Sequence, residues 1–229
     1  MAHDVVTFPD PAGNVIPGWL FRPLGGGGVG VCMIHDIHGL RDNYELVAAP
    51  FVEHGYNVLI PDMFYDVDPV EIVDPDGIRR MAYHGLANEE KHWVILQAAV
   101  RKLKSMPETG GKVAVTGYCL GGTLSYLAAA RMEEIGAAAG YYATAAHKHL
   151  DEAKAIRRPL IMHISESDRT HTPEDAQRLR DTLDGVPLAK WYVYPGTVHG
   201  FANNDHLRYD AEATRIANAR TFELFDKIR

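Results

Sequence analysis

The chain has 229 residues and a formal net charge of −7, with 46% hydrophobic and 23% charged residues. This length and balance are typical of a soluble α/β protein with a substantial core, and we expect one domain over residues 1–229. The negative charge argues against nucleic acid or an anionic membrane surface as the main partner. No apolar run approaches the roughly 18 residues that would suggest a membrane span.

The cysteine count and the first residues indicate a cellular compartment. Cys32 and Cys119 are too few for a disulfide scaffold. The first four residues lack the basic and apolar regions of a secretory signal. We therefore expect a cytoplasmic protein, monomeric or a small homo-oligomer, whose thiols stay reduced. No glycine-rich nucleotide-binding pattern occurs, so we expect no cofactor.

Strand-like runs alternate with helical patterns along most of the chain. The first two runs are separated by a turn-rich spacer and predict a hairpin at a sheet edge. Predicted strands cover residues 5–8, 15–21, 29–34, 56–60, 113–116, 135–142, 160–165 and 189–194. Predicted helices cover residues 43–54, 79–83, 89–106, 147–156 and 210–229, with two more through residues 124–128 and from Thr172 onward.

This alternation predicts a mostly parallel, twisted sheet with helices on both faces, joined by right-handed crossovers. Functional sites in such sheets lie beyond the carboxyl ends of the strands. Four polar or nucleophilic side chains follow predicted strands: Asp36, Cys119, Asp168 and His199. We expect these side chains to converge at one edge of the sheet.

Residues 117–121 read Gly-Tyr-Cys-Leu-Gly, which matches the G-x-S-x-G nucleophile elbow of α/β-hydrolases with sulfur in place of oxygen. Gly117 and Gly121 are small enough for the strand and the following helix to cross closely. The helix N-terminus would favour the thiolate form of Cys119. The alternative interpretation is a buried cysteine in a glycine-rich turn, since cysteine is among the most buried residue types.

The order Cys119, Asp168, His199 is the order of nucleophile, acid and histidine in α/β-hydrolases. A neighbouring imidazole can take the thiol proton, and a carboxylate can orient that imidazole. His199 is therefore the predicted base and Asp168 its partner. The backbone N–H groups of Leu120 and Ile37 are the predicted oxyanion donors. Taken singly, Asp168 could solvate a turn and His199 could be an ordinary surface or core histidine; the combined order favours a triad.

Residues 117–122, Asp168 and the sequence of residues 199–201 closely resemble the dienelactone hydrolase family, over nearly the whole chain from about Val15 onward. The resemblance implies a cofactor-independent α/β-hydrolase that opens an unsaturated lactone. It also implies that Cys119 is the nucleophile, His199 the base and Asp168 its partner.

The sequence departs from the family at two places. Members carry a glutamate after the third strand that contacts the resting thiol; Asp36, one methylene shorter, occupies that place here. The family also holds the substrate carboxylate with arginines, and Asn203 stands where one of them follows the histidine. The other would correspond to Arg79 or Arg80. These departures predict altered anchoring or a different ester or lactone.

Two further side chains are predicted at the pocket. His38 is expected to line its mouth, and Tyr142 to form part of its wall. His35, Asp36 and His38 could instead be read as a metal site, but they lack the spacing of a helical histidine pair, so we expect no metal.

The sequence thus predicts a cysteine-dependent carboxylic-ester or lactone hydrolase that acts on a small molecule through a thioester. One alternative is hydrolysis of another small ester or related bond by the same triad. The other is a non-catalytic relative in which Cys119 is a redox-sensitive or ligand-binding thiol.

Overall fold

The computed structural model describes residues 2–67, 89–204 and 207–229. Its strands form one eight-stranded sheet. The strands are β1 Asp4–Pro9, β2 Val15–Phe21, β3 Gly30–Ile34, β4 Asn57–Pro61, β5 Val113–Tyr118, β6 Ala137–Tyr141, β7 Leu160–Ser167 and β8 Ala189–Val198. They lie in the order β1-β2-β4-β3-β5-β6-β7-β8. β2 pairs antiparallel with β1 and with β4, and all other pairs are parallel, so the predicted edge hairpin is confirmed.

In the described part of the chain, five α-helices and four short 3-10 helices accompany the strands. The α-helices are α1 Asn43–Glu53, α2 Glu89–Ser105, α3 Leu120–Arg131, α4 Pro173–Asp184 and α5 Ala211–Phe225. The 3-10 helices are Pro107–Thr109, Ala146–Lys148, Leu150–Ala155 and Asp226–Ile228. None of the described helices has the length and apolarity needed to cross a bilayer.

The core consists of two buried clusters, one on each face of the sheet. Apolar side chains of α2, α3 and α4 pack in one cluster, and those of α1 and α5 pack in the other. All residues of β3, β4, β5 and β6 are buried. This double coverage explains why these strands read as continuously apolar runs rather than alternating ones.

The crossing of α3 over the sheet depends on glycine. A Cβ atom on Gly117 would lie 2.3 Å from the carbonyl oxygen of Gly121, and one on Gly121 would lie 2.3 Å from that of Ile34. These separations are far below van der Waals contact, and the obstructing atoms are backbone. The spacing of the two glycines therefore sets how closely α3 can approach β5 and β3.

One predicted helix is wrong. Residues 147–156 form two 3-10 helices instead of one α-helix. His149 has φ −121° and ψ 32°, outside the α-helical region, and its carbonyl accepts a hydrogen bond from the Tyr126 hydroxyl at 2.8 Å. This tertiary contact and the break at His149 override the local helical pattern. The predicted helix at residues 79–83 lies outside the described residues.

We expect Gly121→Ala to lower the free energy of unfolding by about 3 kcal/mol, because the new methyl group must displace backbone. Gly185→Ala is the matched control, since Gly185 has φ −80° and a Cβ atom there would meet its nearest neighbour at 3.5 Å. That control should be neutral or gain up to about 1 kcal/mol from the stiffer unfolded chain. Urea unfolding followed by circular dichroism measures both. Equal stability of the two variants would contradict the close-crossing explanation.

Candidate active site

Cys119 lies in the turn between β5 and α3, directly before the first residue of α3. Its backbone has φ 59° and ψ −111°, a conformation that residues with a side chain rarely adopt. The Cys119 N–H donates to the carbonyl of Tyr141 at 3.0 Å, and the Cys119 carbonyl accepts from the Thr123 N–H at 3.3 Å. These bonds hold the sharp turn and keep the thiol at the carboxyl end of the sheet.

His199 directly follows β8, and its ring meets the Asp168 carboxylate from the loop after β7. The Nδ1–H group donates to Oδ2 of Asp168 at 2.8 Å. The carboxylate also accepts from the Ser165 hydroxyl at 2.9 Å, the Thr170 N–H at 2.9 Å and the Thr170 hydroxyl at 2.6 Å. Asp168 is therefore fixed by four donors.

The pair of Asp168 and His199 is strongly polarised. Burial alone would lower the pKa of His199, but hydrogen bonds to Asp168 and Cys119 and the charges of both groups raise it to about 10. Burial would raise the pKa of Asp168, yet hydrogen bonds from His199 and Thr170 bring it well below its usual range. The arrangement stabilises the protonated form of the His199 imidazole.

A cavity of about 350 Å³ opens over Cys119 and His199. It is lined by five other residues that the sequence placed at the site. These are Asp36, Ile37, His38, Tyr142 and Asn203. Arg79 and Arg80 lie outside the described residues.

The loop after β3 supplies one of the two predicted oxyanion donors. The Ile37 N–H has no hydrogen-bond partner within the described residues. Leu120 is the first residue of α3, so its N–H has no acceptor inside the helix. Both amides are therefore available to a substrate oxygen.

His35 anchors the base of the same loop. Its Nε2 accepts from the Met63 N–H at 3.0 Å, so Nδ1 carries the proton and donates to the Asp36 carbonyl at 2.7 Å. The side chain is completely buried. Both ring nitrogens are engaged with the backbone, which gives His35 a structural role in holding this loop.

Asp36 lies at the cavity, and both oxygens of its carboxylate accept hydrogen bonds. Its Oδ1 accepts from the His38 N–H at 2.9 Å, and its Oδ2 accepts from the Asn203 side-chain amide at 2.8 Å. Its own N–H donates to the Tyr44 hydroxyl at 2.7 Å. The carboxylate thus shapes the turn that carries Ile37.

Asn203 is held in place by its neighbours. Besides donating to Asp36, its side-chain oxygen accepts from the Asn43 amide at 2.7 Å, and the residue is 3% exposed. Two cations, Lys148 and Arg208, line the cavity and form no ion pair within the described part of the chain. They bring positive charge to the same cavity that Asn203 lines.

Several supporting residues were not anticipated. Thr170 follows Asp168 by two positions. An aspartate side chain often accepts a hydrogen bond from the backbone N–H two residues on, so the sequence does carry a signal for this contact. Tyr44 and Asn43 lie at the start of a predicted helix, with no local sign that they reach Asp36 and Asn203.

The sequence profile of the dienelactone hydrolase family matches residues 16–229. The chain belongs to this family. A carboxymethylenebutenolidase of Pseudomonas sp. strain P51 is 31% identical over 90% of this chain and 88% of its own. The protein is accordingly a hydrolase.

Solved structures show the same fold. The dienelactone hydrolase-like promiscuous phosphotriesterase P91 from metagenomic libraries has a TM-score of 0.81 and 21% identity, with 99% of this chain and 98% of that chain covered. The dienelactone hydrolase of Anabaena variabilis has a TM-score of 0.75 and 17% identity, with 99% and 98% covered. The family's α/β-hydrolase fold therefore extends over almost the whole chain.

We expect the His199 imidazole to titrate near pH 10, and its midpoint to fall in Asp168→Asn because a charged acceptor is lost. Since the folded pKa exceeds the usual 6.5, the stability contributed by the charged His199 imidazole is complete below pH 6.5 and disappears as the pH rises through about 10. NMR of ring carbons measures the midpoint. His163, whose pKa burial lowers to about 3, provides a neutral internal reference. A wild-type midpoint near 6.5 would contradict the ion pair.

Proposed function

We propose that the protein hydrolyses small carboxylic esters and lactones through a thioester on Cys119. The observation that carries this proposal is the 2.8 Å hydrogen bond from His199 to Asp168, with Cys119 lining the same cavity and contributing to the raised pKa of that imidazole. A nucleophile, a base and an orienting acid in contact are the requirements for covalent acyl transfer.

In the first half-reaction, His199 holds the proton of Cys119 and the thiolate attacks the carbonyl carbon. The carbonyl oxygen becomes an oxyanion, which accepts hydrogen bonds from the N–H groups of Ile37 and Leu120. When the intermediate collapses, the bond to the leaving oxygen breaks and that oxygen takes the proton from His199. A lactone ring opens in this step, because its leaving oxygen stays tethered to the acyl group.

In the second half-reaction, His199 takes a proton from water and the resulting hydroxide attacks the thioester carbonyl. Collapse of this intermediate expels the Cys119 thiolate and releases the carboxylic acid. His199 and Asp168 serve both steps, since the imidazole alternates between its protonated and neutral forms.

Sulfur as nucleophile restricts the substrate class. A thiolate attacks readily but is also readily expelled, so the intermediate goes forward only when the competing leaving group is good. Enol esters and enol lactones meet this condition, whereas amides do not. The proposal therefore excludes peptidase activity, and a cytoplasmic location suits the free thiol.

The charges at the cavity favour an anionic substrate. Lys148 and Arg208 line it, and its one lining acid among the described residues, Asp36, already accepts two hydrogen bonds. A lactone that carries a carboxylate fits this lining, as the names of the carboxymethylenebutenolidase relatives also suggest. We assign Lys148 and Arg208 as the carboxylate contacts, and Asp36 as the residue that shapes the Ile37 turn.

The alternative is that the same triad hydrolyses a different bond. The name of the P91 phosphotriesterase, a structural neighbour, supports this second candidate. A redox-sensing cysteine needs no oriented imidazole. The four donors on Asp168 and its bond to His199 therefore favour catalysis over sensing.

We expect Cys119→Ala to abolish hydrolysis of cis- and trans-dienelactone, with a loss in kcat of at least about 10³-fold. Ultraviolet absorbance of the diene follows the reaction directly. Cys32→Ala is the matched control, because Cys32 is completely buried in β3 and burial raises the pKa of its thiol.

The same pair of cysteines provides a chemical test. Rapid iodoacetamide labelling should map to Cys119 alone by mass spectrometry and should slow in His199→Ala, because the thiolate loses its imidazolium. Turnover that survives Cys119→Ala would refute the thioester route. Absence of turnover with every ester and lactone would refute the proposed function.

Removing the positive charge of Lys148 or Arg208 should weaken the binding of anionic substrates but not of neutral ones. We expect Lys148→Gln and Arg208→Gln each to raise KM for a dienelactone about 3- to 10-fold, with little change for neutral 4-nitrophenyl acetate. Steady-state kinetics at low and high salt measure the effect, which should shrink as salt increases. Lys190→Gln, an exposed residue of β8 outside the cavity lining, is the control. Equal changes for charged and neutral substrates would argue against the carboxylate contact.

A further inference from the structure

Tyr142 has an unusual backbone for a large aromatic residue. It directly follows β6 and has φ 36°, in the left-handed region. Among the described residues, Cys119 is the one other non-glycine residue with positive φ. The Tyr142 N–H donates to the His163 carbonyl at 2.8 Å, which helps to hold this conformation. Backbone strain of this kind persists only where the surrounding packing enforces it, and it is found mainly at functional sites.

The strained backbone places the ring in the wall of the reaction cavity. Tyr142 lines that cavity together with Cys119 and His199. Its ring meets the His199 ring edge-on, with centroids 4.9 Å apart, and it also packs against Phe201 at 5.5 Å and Tyr118 at 6.1 Å. Three neighbours therefore fix the ring before any substrate binds.

The hydroxyl of Tyr142 is buried and has no hydrogen-bond partner within the described residues. The adjacent Tyr141 provides the contrast: its hydroxyl donates to the Asn218 side-chain oxygen at 2.8 Å and contacts the Thr221 hydroxyl at 2.9 Å. A buried, unpaired hydroxyl is costly, and each such group in a folded protein calls for an explanation. A substrate oxygen would supply the missing acceptor.

The Tyr142 hydroxyl is a permanent donor. Burial, with the nearby Tyr44 and Asp36, raises its pKa well above the ordinary value for tyrosine. It keeps its proton at any pH at which the enzyme works, so it can donate a hydrogen bond but cannot serve as a base.

We propose that the Tyr142 hydroxyl donates a hydrogen bond to the leaving oxygen of the bound ester or lactone. That oxygen must lie against His199 to receive its proton, and the Tyr142 ring lies against the same imidazole. The proton that breaks the bond still comes from His199, and Tyr142 keeps its own. Tyr142 is then a catalytic residue in addition to the triad, and this inference rests on the proposed function.

The proposal makes the contribution of Tyr142 depend on the leaving group. A thiolate is expelled more readily than an alkoxide, so collapse toward product limits acylation when the leaving group is poor. Negative charge then accumulates on the leaving oxygen in the transition state, and a donor there matters most. With 4-nitrophenoxide that charge is delocalised, and the donor matters little.

The experiment compares Tyr142→Phe with Tyr141→Phe across three acetates with progressively poorer leaving groups, the 4-nitrophenyl, phenyl and 2,2,2-trifluoroethyl esters. We expect kcat/KM of Tyr142→Phe to stay within about 3-fold of wild type for the 4-nitrophenyl ester and to drop about 30- to 100-fold for the trifluoroethyl ester. The Tm of Tyr142→Phe should stay unchanged or rise, because an unpaired hydroxyl is removed. Tyr141→Phe should show the opposite pattern: a lowered Tm, with kcat/KM unchanged when it is measured at temperatures below that Tm.

Three outcomes would overturn the proposal. Activity of Tyr142→Phe within 2-fold of wild type on all three esters excludes a donor role. An equal loss on all three excludes the leaving oxygen as the acceptor. A loss of activity together with a lowered Tm, as in Tyr141→Phe, indicates a structural role. A wild-type protein inactive on every ester refutes the proposed function itself, and that result is visible before any variant is made.

Discussion

The close crossing of α3 over β5 and β3 is the constraint on which the site depends. Gly117 and Gly121 leave no room for a Cβ atom, so the chain must turn sharply between them. That turn forces Cys119 to φ 59° and presents its thiol directly before the first turn of α3. The N–H of Leu120 comes into position through the same turn. One steric condition therefore sets the positions of the proposed nucleophile and of one proposed oxyanion donor together.

Asp168 and His199 follow the ends of two other strands, and a hydrogen bond between oppositely charged groups holds them together. Asp168 is fixed by donors from Ser165, Thr170 and His199 before any substrate arrives. Because these bonds already satisfy the carboxylate, it can hold His199 in one tautomer and stabilise its charged form. Polar groups that are already held in place need little rearrangement when charge develops in a reaction. Preorganised groups of this kind stabilise the transition state.

The sequence predicted the fold because buried strands are local patterns, and it proposed the triad because each of its members directly follows one of those strands in the expected order. Apolar runs identify buried strands, and the elbow is a five-residue pattern. It could not predict how Asn203 is used, since its partners Asp36 and Asn43 are 167 and 160 residues away. Nor could it predict the unpaired hydroxyl of Tyr142, because a missing bond is visible only in three dimensions. The helix predicted at residues 147–156 was wrong for a related reason: its pattern is local, but the contact of Tyr126 with His149 is not.

The hydrogen bonds from Asn43 to Asn203 and from Asn203 to Asp36 have a consequence for how this enzyme could change its substrate. They tie the loop that carries Ile37 to the segment that follows His199. An arginine introduced at position 203 would bring charge to Asp36 and leave the Asn43 amide without its acceptor. The turn that carries Ile37, the proposed oxyanion donor, would then be disturbed along with the cavity. Positions 36, 43 and 203 therefore form a unit that diverging relatives would have to exchange together, which makes single-residue routes between substrate classes difficult at this site.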